Sequence, residues 1–335
     1  MNYIVLDLEW NQSPSGKSGE NAGLPFEIVE IGAVKLDADR RRIGEYHQYI
    51  APTVYHELHH ITQGILKISM KELKKGKTFA VAAVEFFDWC RDGGEYCFVT
   101  WGSMDLTELQ RNCRFHEIEE RFPQPFIYCD LQKMFSICYD DGKSRLSLED
   151  ATAQMEIPQG TMFHSAMNDA DYTAQIMAKM DFEKVKAYTS VDTFYLPVDR
   201  KHEFTMHYPT YTKFVSKGYA DRDKMMTDGV LLTSICPVCG KPIKKKVRWF
   251  AANPKSYYCV AECEEHGLIK GRIKVKKTDD ERYYVMKIMK PTDAEGMEKI
   301  RAKQSSCRER RRERRHKEHQ KASEANVPKE QKNQN

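Results

Sequence analysis

A mixed α/β layer fold is predicted for residues 1–182, followed by a small β module and a basic tail, and three observations predict it. The first is a cluster of strand-like runs at the start. Residues 4–9 (IVLDLE), 26–36 and 43–50 are apolar and β-branched, and the last two are joined by the charged turn DADRRR. The second is the alternation that follows. Helical spacing at 78–89 gives way to a strand at 96–100, a helix at 106–115, a short strand at 126–129, and helices at 146–155 and 168–180. Strands first and alternation afterwards fit a mixed sheet flanked by helices. The third is bulk composition: 335 residues, 41% hydrophobic and 30% charged, enough for one sizeable core and an accessory module. Residues 11–25 between the first two strands form a Gly/Ser-rich loop.

Beyond residue 182 the pattern changes. Residues 183–228 show no clear period and many aromatics, which reads as a connector packed over the first domain. Residues 229–293 form short β runs around cysteine and histidine, and 294–335 a basic helical tail ending in disorder. The formal charge of +4 is unevenly spread. From residue 299 onward thirteen Lys and Arg meet five Glu, an excess of +8 that leaves the body at −4. An acidic body suits cations, and a basic tail suits nucleic acid. The start lacks a basic flank and is broken by Asp7 and Glu9. No later run approaches the roughly 18 apolar residues of a membrane span. The expected location is therefore cytoplasmic, with no membrane partner. Five of the ten cysteines are scattered before residue 139 and read as small buried hydrophobes.

The acidic residues carry the chemistry. Asp7 and Glu9 alternate on a strand, so their carboxylates share a face, where they repel unless a cation lies between them. Asp105 in VTWGSMDLTELQ follows a strand and opens a helix, where a carboxylate also caps backbone amides. His164 precedes a helix bearing Asp169, with Asp171 as a neighbour on another face. Glu27 and Glu30, near the second strand, read as a solvated face or a loop role rather than as catalytic.

Taken in order, Asp-x-Glu on the first strand, Asp at a mid-domain junction and His-x4-Asp at the last helix resemble the DEDDh exonucleases. EIVEIGAVKL is similar to that family's second strand, and SLEDATAQMEIP with HSAMNDADYTA to its last two helices. WGSMDLTEL resembles the RNA 3′ exonucleases that act on histone messages and small RNAs. The resemblance implies an RNase H-like mixed sheet over residues 1–182. It implies that Asp7, Glu9, Asp105 and Asp169 hold two Mg²⁺ or Mn²⁺ ions, and that His164 is the general base. The implied activity is 3′→5′ hydrolysis of single-stranded RNA. A DNA exonuclease and a non-catalytic RNA-binding protein with the same fold are the alternatives. Oxygen ligands suit these ions, two of which stabilise both reacting oxygens of a phosphodiester. Leu8, Trp10 and Asn11, beside the first acids, are expected to contact the terminal nucleotide, Trp10 by stacking.

The second module carries Cys236-x2-Cys239-Gly and Cys263-x2-His266-Gly, two mirrored turns with the spacing of a closed structural zinc site in a ribbon. Cys259 is the alternative fourth ligand. Lys244, Lys245, Lys246 and Arg248 interleave with Trp249, Phe250, Tyr257 and Tyr258, a mixture suited to single-stranded nucleic acid.

Overall fold

A computed structural model describes residues 1–66, 68–119, 122–160 and 162–325, with side chains to residue 318. The chain divides into two compact units, Met1–Tyr195 and Leu196–Asn335.

The first unit contains β1 (Asn2–Asn11), β2 (Glu27–Leu36), β3 (Arg42–Tyr49), α1 (His60–Ile65), α2 (Met70–Leu73), α3 (Phe79–Arg91), β4 (Tyr96–Thr100), α4 (Met104–Phe115), β5 (Ile127–Asp130), α5 (Leu131–Tyr139), α6 (Leu148–Gln154), α7 (Ala166–Lys179) and β6 (Ser190–Val191). The sheet order is β3-β2-β1-β4-β5-β6. β1, β2 and β3 pair antiparallel, whereas β1, β4 and β5 run parallel. This is the mixed sheet expected from the sequence.

Alternation along β1 divides its side chains between two cores. Ile4, Leu6 and Leu8 pack with Phe79, Ala82 and Phe86 of α3 and Leu106 and Leu109 of α4. Val5 joins the opposite core with Leu131, Ala151, Ala170 and Ile176, from α5, α6 and α7. Asp7 and Glu9 continue the Val5 row, so they project toward the side that carries α7. Gly32 of β2 is the cross-strand partner of Asp7. A Cβ on Gly32 would fall 2.1 Å from the Ala166 carbonyl carbon and 2.2 Å from the Met167 nitrogen. The first turn of α7 therefore rests directly on the β2 backbone.

The second unit contains β7 (Phe204–Tyr208), β8 (Tyr211–Val215), α8 (Arg222–Thr227), α9 (Gly229–Leu232), β9 (Lys244–Asn253), β10 (Ser256–Cys263), β11 (Gly267–Lys277), β12 (Tyr283–Pro291) and α10 (Ala294–Ala325). One antiparallel sheet runs β7-β8-β12-β11-β10-β9. This corrects the expected connector at 183–228. Residues to 195 stay with the first unit, where β6 pairs with β5. The β7–β8 hairpin instead pairs with β12, Met286 opposite Val215. The module thus exceeds a small ribbon. Met225 of α8 and Leu231 of α9 pack on Ile273, Val275 and Val285. Ile300 and Met297 of α10 pack on Val247 and Val260. The helix takes in 322–325 of the expected disordered end; residues 326–335 lie outside the described residues. Among the described residues no helix is long and apolar enough to cross a membrane.

Because backbone, not a flexible side chain, opposes a Cβ at Gly32, Gly32→Ala should lower stability by about 1–3 kcal/mol, the usual cost of overpacking. Thermal unfolding of the variant checks this, and an unchanged midpoint would refute the close approach.

Candidate active site

Three elements deliver acids to one place. β1 brings Asp7 and Glu9. β4 ends at Thr100, whose hydroxyl donates to the Gly102 carbonyl at 2.7 Å. Gly102 has φ +111, a left-handed conformation that glycine adopts without strain. The chain then enters α4 with Asp105 in its first turn, 6% exposed. Asp105 Oδ1 accepts the Leu8 backbone N–H at 3.3 Å, tying α4 to β1 between the two strand acids. α7 brings Asp169 in its own first turn. Both helix acids therefore lie where the helix dipole favours negative charge.

His164, just before α7, is exposed and has φ +69, a costly conformation for a residue with a Cβ. Its backbone N–H donates to Asp169 Oδ2 at 3.2 Å. Ligand atoms of Glu9, His164 and Asp169 lie within 4.8 Å of one another. Asp169 Oδ1 is buried with no hydrogen-bond partner. Asp171 points elsewhere, bonded to Arg42 and Gln175.

The acids oppose one another electrostatically. Burial, then the charges of Asp105, Asp169 and Glu9, pushes the Asp7 carboxyl well above the usual range. Burial is also the first cause at Glu9, raised to about 8, at Asp105, raised to about 7, and at Asp169, raised to about 6. Crowded carboxylates with an orphaned buried oxygen are the donor set of a hard divalent cation.

Glu30, read from the sequence as part of a solvated face or loop, is 2% exposed and stands across the strand pair from Glu9. Its Oε1 lies 2.9 Å from His47 Nε2 and accepts the Ser165 hydroxyl at 3.0 Å. It thereby anchors the residue next to His164 and adds a further negative charge beside Asp7 and Glu9. Only the β1–β2 register reveals it. Glu27 does anchor a loop, though from a buried position, by accepting the backbone N–H groups of Thr53, Val54 and Tyr55.

The expected substrate contacts fare unevenly. Leu8 is 3% exposed and belongs to the α3–α4 core. Asn11 is fully buried; its amide donates to the Glu57 carbonyl at 2.9 Å and its oxygen accepts His59 N–H at 3.0 Å. Both side chains are committed to the fold. Trp10 is half-buried against Phe26 and keeps part of its ring exposed.

In the second unit, ligand atoms of Cys236, Cys239, Cys263 and His266 lie within 4.8 Å of one another. Cys239 and Cys263 sulfurs are 3.8 Å apart, and Cys263 Sγ is 3.5 Å from His266 Nδ1. The glycines ending each turn, Gly240 and Gly267, have φ of +70 and +68. Cys259 stands apart, fully buried with its sulfur 3.7 Å from Ser234 Oγ.

Stability should follow the acids. A raised carboxyl holds its proton more tightly folded than unfolded, so its stabilisation is present at low pH and lost as pH rises through the folded value. For cation-free protein the loss begins near the ordinary carboxyl values of 3.8 and 4.5, where the unfolded chain ionises, and is complete above about 6, 7 and 8, the folded values of Asp169, Asp105 and Glu9. The melting temperature should therefore drop across that window, and Mg²⁺ or Mn²⁺ should restore it most at the alkaline end. Asp7→Asn should melt higher than the parent without cation at pH 8, by about 2–4 °C per kcal/mol of relieved repulsion. A lower melting temperature would mean that the acids are not in conflict.

A protein-family model described as Exonuclease, of RNase T type, matches residues 4–177, more than half of the chain. A curated relative, the probable 3′-5′ exonuclease KapD of Bacillus subtilis (strain 168), is 30% identical over 129 residues, which is 37% of this chain and 56% of that protein. Among solved structures, cell-death related nuclease 4 is 19% identical with a TM-score of 0.48, over 57% of this chain and 66% of that one. The nuclease domain of 3′hExo, a DEDDh family member bound to rAMP, is 18% identical with a TM-score of 0.48, over 57% and 96%. E. coli Exonuclease I bound to single-stranded DNA is 15% identical with a TM-score of 0.48, over 77% and 54%. With its acids on β1, α4 and α7 inside the matched region, the chain belongs to the RNase T type exonuclease family.

Proposed function

We propose that this chain is a 3′→5′ exoribonuclease that hydrolyses single-stranded RNA one nucleotide at a time. The observation that carries the reading is the convergence of Asp7, Glu9, Asp105 and Asp169 beside an exposed histidine. Asp7, Glu9, Asp105 and Asp169 are the residues that hold two Mg²⁺ or Mn²⁺ ions. When bound, such ions supply positive charge to the attacking and leaving oxygens of the phosphodiester. His164 accepts a proton from the attacking water, a task for which an exposed imidazole is suited. The water oxygen bonds to phosphorus and the bond to the 3′ oxygen breaks. The shortened strand keeps a 3′ hydroxyl and a 5′ nucleotide leaves. Glu30, through Ser165, keeps the His164 segment in its left-handed turn. Trp10, half-buried against Phe26, is the residue beside the first acids that would contact the terminal base. RNA is chosen over DNA on the WGSMDLTEL resemblance.

Cys236, Cys239, Cys263 and His266 hold a structural zinc in the same reading. A tetrahedral ion with metal–sulfur bonds of about 2.3 Å separates its sulfurs by about 3.8 Å. The Cys239–Cys263 separation of 3.8 Å supports this set, and Cys259, whose sulfur lies outside the group, is left out of it. Four protein ligands leave no open position for catalysis.

A 5′-labelled single-stranded RNA should shorten stepwise from its 3′ end with Mg²⁺ or Mn²⁺. His164→Ala should slow this by about 10²–10⁴-fold, the usual range for a general base. No shortening of RNA would refute the exoribonuclease. Faster shortening of matching DNA would replace the substrate, and tight RNA binding with no cleavage would favour a non-catalytic binder. Cys236→Ser should lower zinc content by one equivalent and unfold the second unit, while short oligonucleotides are still cut. Full zinc retention would exclude this ligand set.

A further inference from the structure

We propose that the exposed row of cations on β11 is the docking surface for a longer single-stranded RNA, a reading that rests on the RNA substrate proposed above. β11 sits inside the second sheet, flanked by β12 and β10. Its alternate residues Gly271, Ile273 and Val275 are buried, and the α8 and α9 residues Met225 and Leu231 cover that face. The other alternate residues are Lys270, Arg272, Lys274 and Lys276, all exposed. Two residues of strand advance about 6.6–6.8 Å, so the cations form a straight, evenly spaced line. That interval is of the order of the step between phosphates in an extended strand.

The neighbours on the same face are suited to bases. Register places Tyr258 of β10 and Ile288 of β12 beside Arg272, and Met286 beside Lys274. All three are half-buried, so each leaves apolar surface open. Tyr258 lies between two cations, Arg272 at 5.8 Å and Lys303 of α10 at 4.5 Å. Tyr258 also packs with Ile300 and Met297 of α10, so the helix borders the row on this side while Met286 and Ile288 border it on the other.

Charge complementarity selects the anion. Among the described residues no carboxylate comes within 4.0 Å of Lys270, Arg272 or Lys274. Several of the groups favoured by the sequence are engaged within the fold. Lys246 pairs with Glu262 at 2.5 Å, and Trp249 turns away from solvent to donate its indole N–H to the Leu232 carbonyl at 2.9 Å. Tyr257 belongs to the core under α8. Lys244, Lys245 and Arg248 of β9 are exposed as well, but the aromatics Trp249 and Tyr257 are engaged in the fold, whereas the β11 row has the half-buried Met286 and Ile288 beside it. Tethered to the catalytic unit, it raises the effective concentration of any strand it holds.

The test measures binding of a labelled 20-nucleotide single-stranded RNA to the full chain carrying Asp7→Asn, by anisotropy over a range of KCl concentrations. Lys270→Gln, Arg272→Gln and Lys274→Gln together should weaken binding roughly 10- to 100-fold at 0.1 M salt. They should also reduce the slope of log K against log salt by about 2, at about 0.7 per lost contact. The charge-keeping set Lys270→Arg, Arg272→Lys and Lys274→Arg should bind like the parent, and so should Lys244→Gln, Lys245→Gln and Lys255→Gln together. A parental slope in the first set would overturn the proposal. So would equal weakening in the β9 set, displacement by polyglutamate at equal charge, or tighter binding of the matching DNA. The nuclease reading is judged apart from this, by cleavage of a trinucleotide with the Asp7 chain, so either can fail alone.

Discussion

The first turn of α7 lies against the β2 backbone at Gly32, and the acidic centre depends on that contact. With no side chain at Gly32, the helix start descends to the sheet directly beside Asp7, its cross-strand partner. Asp169 and the His164 segment come down with it. Lift the helix by the thickness of a methyl group and the α7 acid leaves the strand acids. Two hydrogen bonds hold the other approaches: Asp105 to the Leu8 amide, and Ser165 to Glu30. The close packing is what forces the carboxylates together, and the resulting repulsion is what a divalent cation relieves.

The two units hold opposite kinds of ligand. The first gathers carboxylate oxygens and one imidazole, whereas the second gathers three sulfurs and one imidazole. Hard cations favour oxygen donors and zinc favours sulfur and imidazole, so under the proposed reading the two sets would select their ions by donor type. The oxygen centre keeps an exposed histidine, and the sulfur centre closes on itself with two left-handed glycine turns.

Much of the oxygen centre was legible because its determinants are local. Asp7 and Glu9 share a face by strand alternation, and Asp105 follows a strand-to-helix junction. The spacing of the sulfur ligands is equally short-range. What escaped depends on partners distant in sequence. Glu30 acquires its place from the β1–β2 register, and Asn11 is drawn inward by backbone groups some 44 to 48 positions away. The β7–β8 hairpin turns through Pro209 and Thr210, with none of the Gly or Asn that mark a tight hairpin turn. Aromatics in β9 and β10 looked uniform in sequence, yet Trp249 and Tyr257 pack into the core while Tyr258 faces the α10 side.

The cation row on β11 also bears on how the sheet finds its pairing. A slip by one residue against β10 and β12 would turn Lys270, Arg272, Lys274 and Lys276 under α8 and α9, and set Ile273 and Val275 in water. Moving these cations out of water is costly, so a slipped ladder is strongly disfavoured and the central strand helps to specify the register. A surface that looks specialised for a ligand thus also keeps the nascent domain from settling into a wrong alignment.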